Sequence, residues 1–212
     1  MAETPIRSVK IGADERTGWS SDRPRKEGAK PREADVSVRG RVLRPSDRLR
    51  YSPGSLLVVV SASKSAREDF VARTVEATNA ILSPGKVREL LAGRVAEEEM
   101  DERAHQLLAV AVAKRLEADE SVVLVPDSLA PQEREVFVRL ADRFRRPRHL
   151  ILIETARDQV AEEDVAPLNA LRRALDAGEL GAAEGFHTSM RLGGTSASEV
   201  KRVVFRPEPR ED

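Results

Sequence analysis

SLLVVVSASKSAREDF, residues 55–70, is the stretch on which the fold turns. Six residues from Ser55 to Val60 carry no charge and little polarity, so they fit a strand buried on both faces rather than one. Four small residues follow, Ser61, Ala62, Ser63 and Ser65, with Lys64 among them. From residue 64 to 76 the spacing of Phe70, Val71 and Val75 predicts a helix with one apolar side. A buried strand, a tight turn and a helix form the opening unit of an α/β domain with a parallel sheet.

The same alternation continues along the chain. TNAIL reads as a second short strand and KVRELLAG as a helix closed by Gly93. Residues 97–118 predict the longest helix, with Leu107, Leu108, Val110, Ala111, Val112 and Leu116 as its apolar face. SVVLV and HLILIE read as third and fourth strands. PQEREVFVRLADRF between them is a helix with proline in its first turn. VAPLNALRRALDAG is helical, GFHTSMRL and VKRVVFR are late strand candidates, and LGGTSAS reads as a flexible link. The expected architecture is α/β: a three-layer parallel sheet with helices on both faces, spanning residues 51–192. Residues 193–212 form a C-terminal strand and tail. Ligands in such folds sit beyond the carboxyl ends of the strands, which places residues 61–67, 83–85, 126–130 and 154–158 on the functional edge.

Residues 1–50 differ in kind. They hold 13 Lys/Arg against 8 Asp/Glu, a net of +5, whereas the remainder holds 23 against 28, a net of −5. The polar run up to residue 35 cannot bury enough apolar surface to offset its ordering entropy. Trp19, the only tryptophan, is a candidate anchor on a partner. VSVRGRVL alternates like a strand, with Val36, Val38 and Leu43 as further partner-binding candidates and Gly40 as a site for a bulge. The expectation is an extended basic arm with a strand over residues 36–43.

Composition excludes several chemistries. With no cysteine there are no disulfides, thiolate metal sites or cysteine nucleophiles. A formal net charge of zero argues against a general polyanion binder. His105, His149 and His187 lack metal-ligand spacing, and Glu97–Glu102 is a favourable charge run at a helix start. No apolar run reaches the ~20 residues of a membrane span, and the N-terminus lacks the apolar stretch of a signal peptide. The expected location is the cytoplasm, with no membrane partner.

A phosphate loop reads G-x-x-x-x-G-K-[S/T], because glycines let backbone N–H groups wrap phosphates while the lysine and hydroxyl reach the outer phosphates and Mg²⁺. If Ser61 opens the loop, the length is right but Ser61 and Ala66 replace the glycines, Arg67 the lysine and Glu68 the hydroxyl. Glu68 at a helix start would take the place of a phosphate and repel a real one. Residues 61–68 thus form a degenerate phosphate loop. Lys64 and Arg67 remain a candidate anion grip. Asp127, after the third strand, is a candidate metal-assisting carboxylate or a turn residue, with Ser128 a helix cap.

The order of elements resembles the small P-loop kinases of the polynucleotide-kinase and AAA_33 type. The similar stretches are SLLVVVSASKSAREDFVART, ILSPGKVRELLAG, AVAKRLEADESVVLVPDSLAPQERE and LRRALDAGELGAAEGF. The resemblance covers about residues 54–192 and rests on the spacing of elements. It implies a phosphate loop in the first stretch and a catalytic aspartate in the second, where this chain has Pro84 or Gly85. VPDSL stands where that family has D-A-T-N, and the arginine-rich lid is reduced to Arg157, with Arg172 and Arg173 further on. The expectation is a non-catalytic member of the fold without a bound cofactor, acting through its arm and sheet surface on a protein partner or a second copy. Two alternatives stay open. One is a divergent phosphotransferase on a nucleotide or polynucleotide, using Lys64, Arg67 and Asp127. The other is a nucleic-acid-associated protein using the basic arm.

Overall fold

Five strands hydrogen-bond side by side at the centre of the chain, all parallel. The computed structural model describes residues 36–38, 48–193 and 195–206, with backbone alone at 36–38 and 195. In chain order the elements are β1 (Val36–Val38), β2 (Arg48–Tyr51), β3 (Leu56–Val60), α1 (Lys64–Thr74), β4 (Ile81–Leu82), α2 (Pro84–Leu91), α3 (Glu97–Glu117), β5 (Val122–Leu124), α4 (Pro131–Arg143), β6 (Arg148–Ile153), α5 (Glu162–Ala177), α6 (Leu180–Glu184), β7 (Thr188–Leu192), α7 (Thr195–Glu199) and β8 (Arg202–Phe205). The sheet runs β7-β6-β3-β5-β4, and β1 adds to its β7 edge with Val36 opposite Thr188.

The first strand of the alternation, β3, lies in the middle. All five of its residues are buried, which is why its sequence is an unbroken apolar run rather than an alternating one. Leu56, Val58 and Val60 face a cluster with Leu108, Val112 and Leu116 of α3, Phe137 of α4 and Leu171 of α5. Leu57 and Val59 face the other way, onto Phe70 and Val71 of α1 and Val203 of β8. Each buried Leu or Val contributes about 1.5–3 kcal/mol relative to exposure, so the two faces of β3 anchor both outer layers. The molecule is a three-layer α/β fold.

Several details differ from the sequence reading, and the strand read over TNAIL is confined to Ile81–Leu82, with Thr78–Ala80 a turn of 3-10 helix. Leu107 and Val110 are 47% and 50% exposed, whereas Ala104, Leu108, Val112 and Leu116 are fully buried. An i, i+4 stripe faces the sheet, and the neighbours expected on that face sit on its flank. LGGTSAS is not merely a link. Residues 195–199 form α7, and Arg73 of α1 donates to Ala197 O at 2.8 Å and Val200 O at 2.6 Å, tying this segment to the core.

The last strand does not extend the main sheet. β8 pairs in parallel with β2, Leu49 opposite Val203 and Tyr51 opposite Phe205, as a separate two-stranded layer. β2 therefore crosses the boundary at residue 50 that composition suggests. Gly54, at φ +72°, makes the turn from β2 to β3; a Cβ there would lie 3.3 Å from Asp119 O. Trp19, Gly40, Leu43 and the side chains of Val36 and Val38 lie outside the described residues. No described helix is long and apolar enough to cross a membrane.

Candidate functional site

The sheet order creates one topological switch point. The connection leaving β3 runs toward β4, and the connection leaving the adjacent β6 runs toward β7. In open α/β sheets the crevice between two such strands, at their carboxyl ends, is the ordinary ligand position. Here it falls between Ser61, which follows β3, and Thr155, which follows β6.

That crevice is bridged by the chain itself. Ser61 Oγ and Thr155 Oγ1 are hydrogen-bonded at 2.9 Å, and both residues are buried. Ser61 Oγ also accepts from Ser63 N at 3.2 Å. Ser63 is the N-cap of α1, its Oγ accepting from Ala66 N at 3.2 Å, and it meets Ser65 Oγ at 3.1 Å. The serines thus act as caps and locks for the turn. Ala62 and Ala66 pack against the two core clusters on opposite faces of the sheet.

Arg67 completes the closure. It is only 4% exposed, and its guanidinium turns back under the loop. Nη1 donates to Ser61 O and Nη2 to Asp127 O, each at 3.1 Å, and Nη2 lies 3.9 Å from the Asp127 carboxylate. Arg67 Nε is buried without a partner. A guanidinium spent on the buried Ser61 carbonyl and the part-buried Asp127 carbonyl cannot turn to an incoming anion without leaving them short of a donor, at a cost of about 1–3 kcal/mol for the buried one.

Asp127 is held from the other side as well. Arg88 of α2 donates to its Oδ2 at 2.6 Å and reaches Asp101 of α3 at 2.6 Å through Nε. The hydrogen bond to Asp127, then that to Asp101, raises the Arg88 pKa above the usual arginine range. Glu133 of α4 fixes the adjoining backbone, accepting from Asp127 N and Ser128 N at 2.9 Å each. Arg67, Asp127, Arg88 and Asp101 form a chain of alternating charge from the β3 loop to α3, in which the Asp127 carboxylate is hydrogen-bonded by Arg88 and ion-paired with Arg67.

Lys64 and Glu68 stand apart from this chain. They form an i, i+4 pair at 3.9 Å with side chains 69% and 54% exposed. The structure therefore separates Lys64 from Arg67, and it places Glu68 on the outer side of α1 rather than in the loop. Both line a cleft of about 290 Å³ between α1 and α2, floored by Val71, Ile81 and Val125, with Lys86 on its rim. Gly85 also lines it, with only Ser83 Oγ, at 4.0 Å, near its Cβ position. A second cavity of about 400 Å³ opens beyond β6, between the turn at Arg157 and the first half of α5.

His105 lies on α3, whereas His187 comes close to His149 at the paired starts of β6 and β7, its Nδ1 accepting from Arg148 N at 3.1 Å; no group of three or more His, Asp or Glu residues that could hold a metal ion occurs among the described residues. His149 is buried on β6, with Nδ1 2.7 Å from Thr188 Oγ1, Nε2 unpartnered and its ring 4.5 Å from Tyr51.

Sequence reasoning placed Ser61, Arg67, Asp127 and, within residues 154–158, Thr155 on one edge, but it gave Thr155 no role and missed Arg88 and Glu133, which complete the arrangement. No local signal marks them, since Thr155 meets Ser61 across 94 residues and Arg88 meets Asp127 across 39. Set against protein-family models and curated proteins, the sequence matches none.

Proposed function

We propose that this chain is a non-catalytic relative of the P-loop kinases that serves as an interaction or structural subunit, acting through its basic N-terminal arm and sheet surface. The observation that carries this reading is the closure of the β3 loop. The residue in the place of the phosphate-loop lysine, Arg67, is buried and donates to Ser61 O and Asp127 O. A nucleotide phosphate needs N–H donors pointing into the loop, and here carbonyls take the cation instead. The interaction half of the reading rests on sequence: the basic arm, Trp19 as an apolar anchor, and Val36, Val38 and Leu43 beyond it.

The divergent phosphotransferase is disfavoured on the same ground. Asp127, the carboxylate it would use for metal, is already paired with Arg88 and Arg67. The two readings separate in a thermal-shift titration of the full chain with ATP and Mg²⁺. A ligand that binds only the folded state adds about 2.7 kcal/mol at a hundred times its Kd. The expected result is no rise in Tm at millimolar ATP; a saturable rise would transfer the assignment to the phosphotransferase.

A further inference from the structure

The cavity beyond β6 has a different chemistry from the closed loop beside it. The chain leaves β6 through Glu154 and Thr155, makes a turn of 3-10 helix at Arg157–Gln159, and enters α5 at Glu162. The cavity of about 400 Å³ is bounded by this turn and α5, through Arg157, Val160, Val165, Leu168, Asn169 and Arg172. Its size lies within the ordinary range for small-ligand sites, roughly 300–1,000 Å³. Its position at the carboxyl end of a central strand is where such sheets bind ligands.

One wall is apolar. Leu168 is 2% exposed and Val160 packs partly against the main core, so the floor is rigid, while Val165 leaves 45% of its surface open. The other wall is cationic, but the two arginines differ. Arg172 is spent: it donates to both oxygens of Glu154 and to Asn169 Oδ1. Arg157 has no side-chain hydrogen bond or ion pair with the described residues. The site therefore presents one uncompensated guanidinium, whose planar fork of N–H donors matches a carboxylate, next to an aliphatic surface.

The charge balance selects the ligand class. A phosphate ester or polyphosphate brings two or more negative charges, and the α5 helix begins with Glu162, Glu163 and Asp164, which oppose a polyanion. A single carboxylate needs one partner only. We propose that this cavity binds an aliphatic monocarboxylate, its carboxylate on Arg157 and its hydrocarbon part against Val160, Val165 and Leu168. A free branched-chain acid and the C-terminal residue of a peptide offer the same chemistry. The proposal does not depend on the state of the β3 loop and stands or falls separately from the non-catalytic reading.

The test is an amide-resonance titration of the full-length protein by NMR with isocaproate. A parallel arm uses a short acetylated peptide ending in leucine with a free carboxylate, and controls use isocaproamide and the amidated peptide. Saturable shifts confined to residues 157–172, with a Kd on the order of 1 mM, are expected for at least one carboxylate. The amide counterparts should bind about tenfold more weakly, as should the carboxylate with Arg157→Met, because a charge-assisted hydrogen bond is lost. Val165→Ser should weaken binding to a smaller degree. Binding of the small acid alone identifies a metabolite-sized ligand, and binding of the peptide alone identifies a chain terminus. The proposal is overturned if neither carboxylate gives saturable shifts. It is equally overturned if binding is indifferent to amidation or to Arg157→Met in a variant whose melting temperature is unchanged.

Discussion

Two adjacent loops at the same edge of the sheet treat their arginines in opposite ways. After β3, Arg67 is buried and donates to carbonyls of its own chain, and every polar side chain of the turn has a partner within the fold. After β6, Arg157 stands exposed beside an open cavity of about 400 Å³. Both loops follow parallel strands buried to the last residue, so the sheet alone does not decide which of them meets ligands. What decides it is whether the cation is committed. A committed arginine is structural and costs stability when removed; an uncommitted one is available to an anion and costs little.

Replacing Arg67 by Met is the strongest way to break that contrast. The substitution keeps most of the side-chain volume but removes two charge-assisted hydrogen bonds, leaving buried Ser61 O and the Asp127 carbonyl short of a donor. Such bonds contribute about 1.5–3 kcal/mol each, so a loss on the order of 4 kcal/mol is expected. Arg88 still holds the Asp127 carboxylate, which keeps the loss below that of a buried ion left wholly unpaired. Urea unfolding of Arg67→Met and Arg157→Met side by side checks it. Equal stability of the two variants would remove the distinction between a committed and a free cation.

The contrast was half legible in the sequence. The strand–turn–helix at residues 55–70, the buried runs of β5 and β6 and the proline that opens α4 all announce themselves, because apolar runs, periodicity and proline placement are local signals. The position of the loop at the sheet edge follows from them. The role of Arg67 does not, since its acceptors are main-chain carbonyls, one of them 60 residues distant, and every residue type has a carbonyl. β2 was overlooked for a related reason. RLRY buries only Leu49 and Tyr51, and its two arginines resemble the basic arm that precedes it. Only the pairing with β8 shows that residues 48–51 belong to a sheet layer.

The opposite end of the same two strands supplies an intermediate effect. His149 and Ser55 lie toward the amino ends of the sheet, away from both loops. Burial, reinforced by the nearby charge of His187, lowers the His149 pKa from 6.5 to about 4. A histidine whose pKa is depressed by folding favours the folded state only while neutral. Its contribution is complete above pH 6.5, shrinks as the pH falls from 6.5 toward 4, and changes no further below that. The difference amounts to about 3 kcal/mol. Chemical unfolding at pH 7 and pH 4.5, compared between the wild type and His149→Gln, isolates this part from the carboxylates. A wild type that loses no more stability than the variant would show that His149 is not the buried neutral group described here.

The smallest effect is expected at Glu68, and it bears most directly on why the loop is closed. From sequence, Glu68 is the substitution most hostile to a phosphate, because it puts a carboxylate at the start of a helix where the anion would sit. In the structure its side chain is 54% exposed and pairs with Lys64 at 3.9 Å, a surface contact of about 0.3–0.5 kcal/mol at most. Glu68→Thr restores the hydroxyl of the phosphate-loop pattern and removes the repulsion. If Glu68 were the barrier, this change alone would create a measurable response to ATP and Mg²⁺. The expected outcome is a stability within about 0.5 kcal/mol of the wild type and no nucleotide-dependent rise in Tm, because Arg67 still occupies Ser61 O and Asp127 O. A rise in Tm with Glu68→Thr would mean that the loop opens readily and that an exposed charge, rather than the buried guanidinium, keeps nucleotide out. The comparison of the two loops would then rest on electrostatics at the rim instead of hydrogen bonds beneath it.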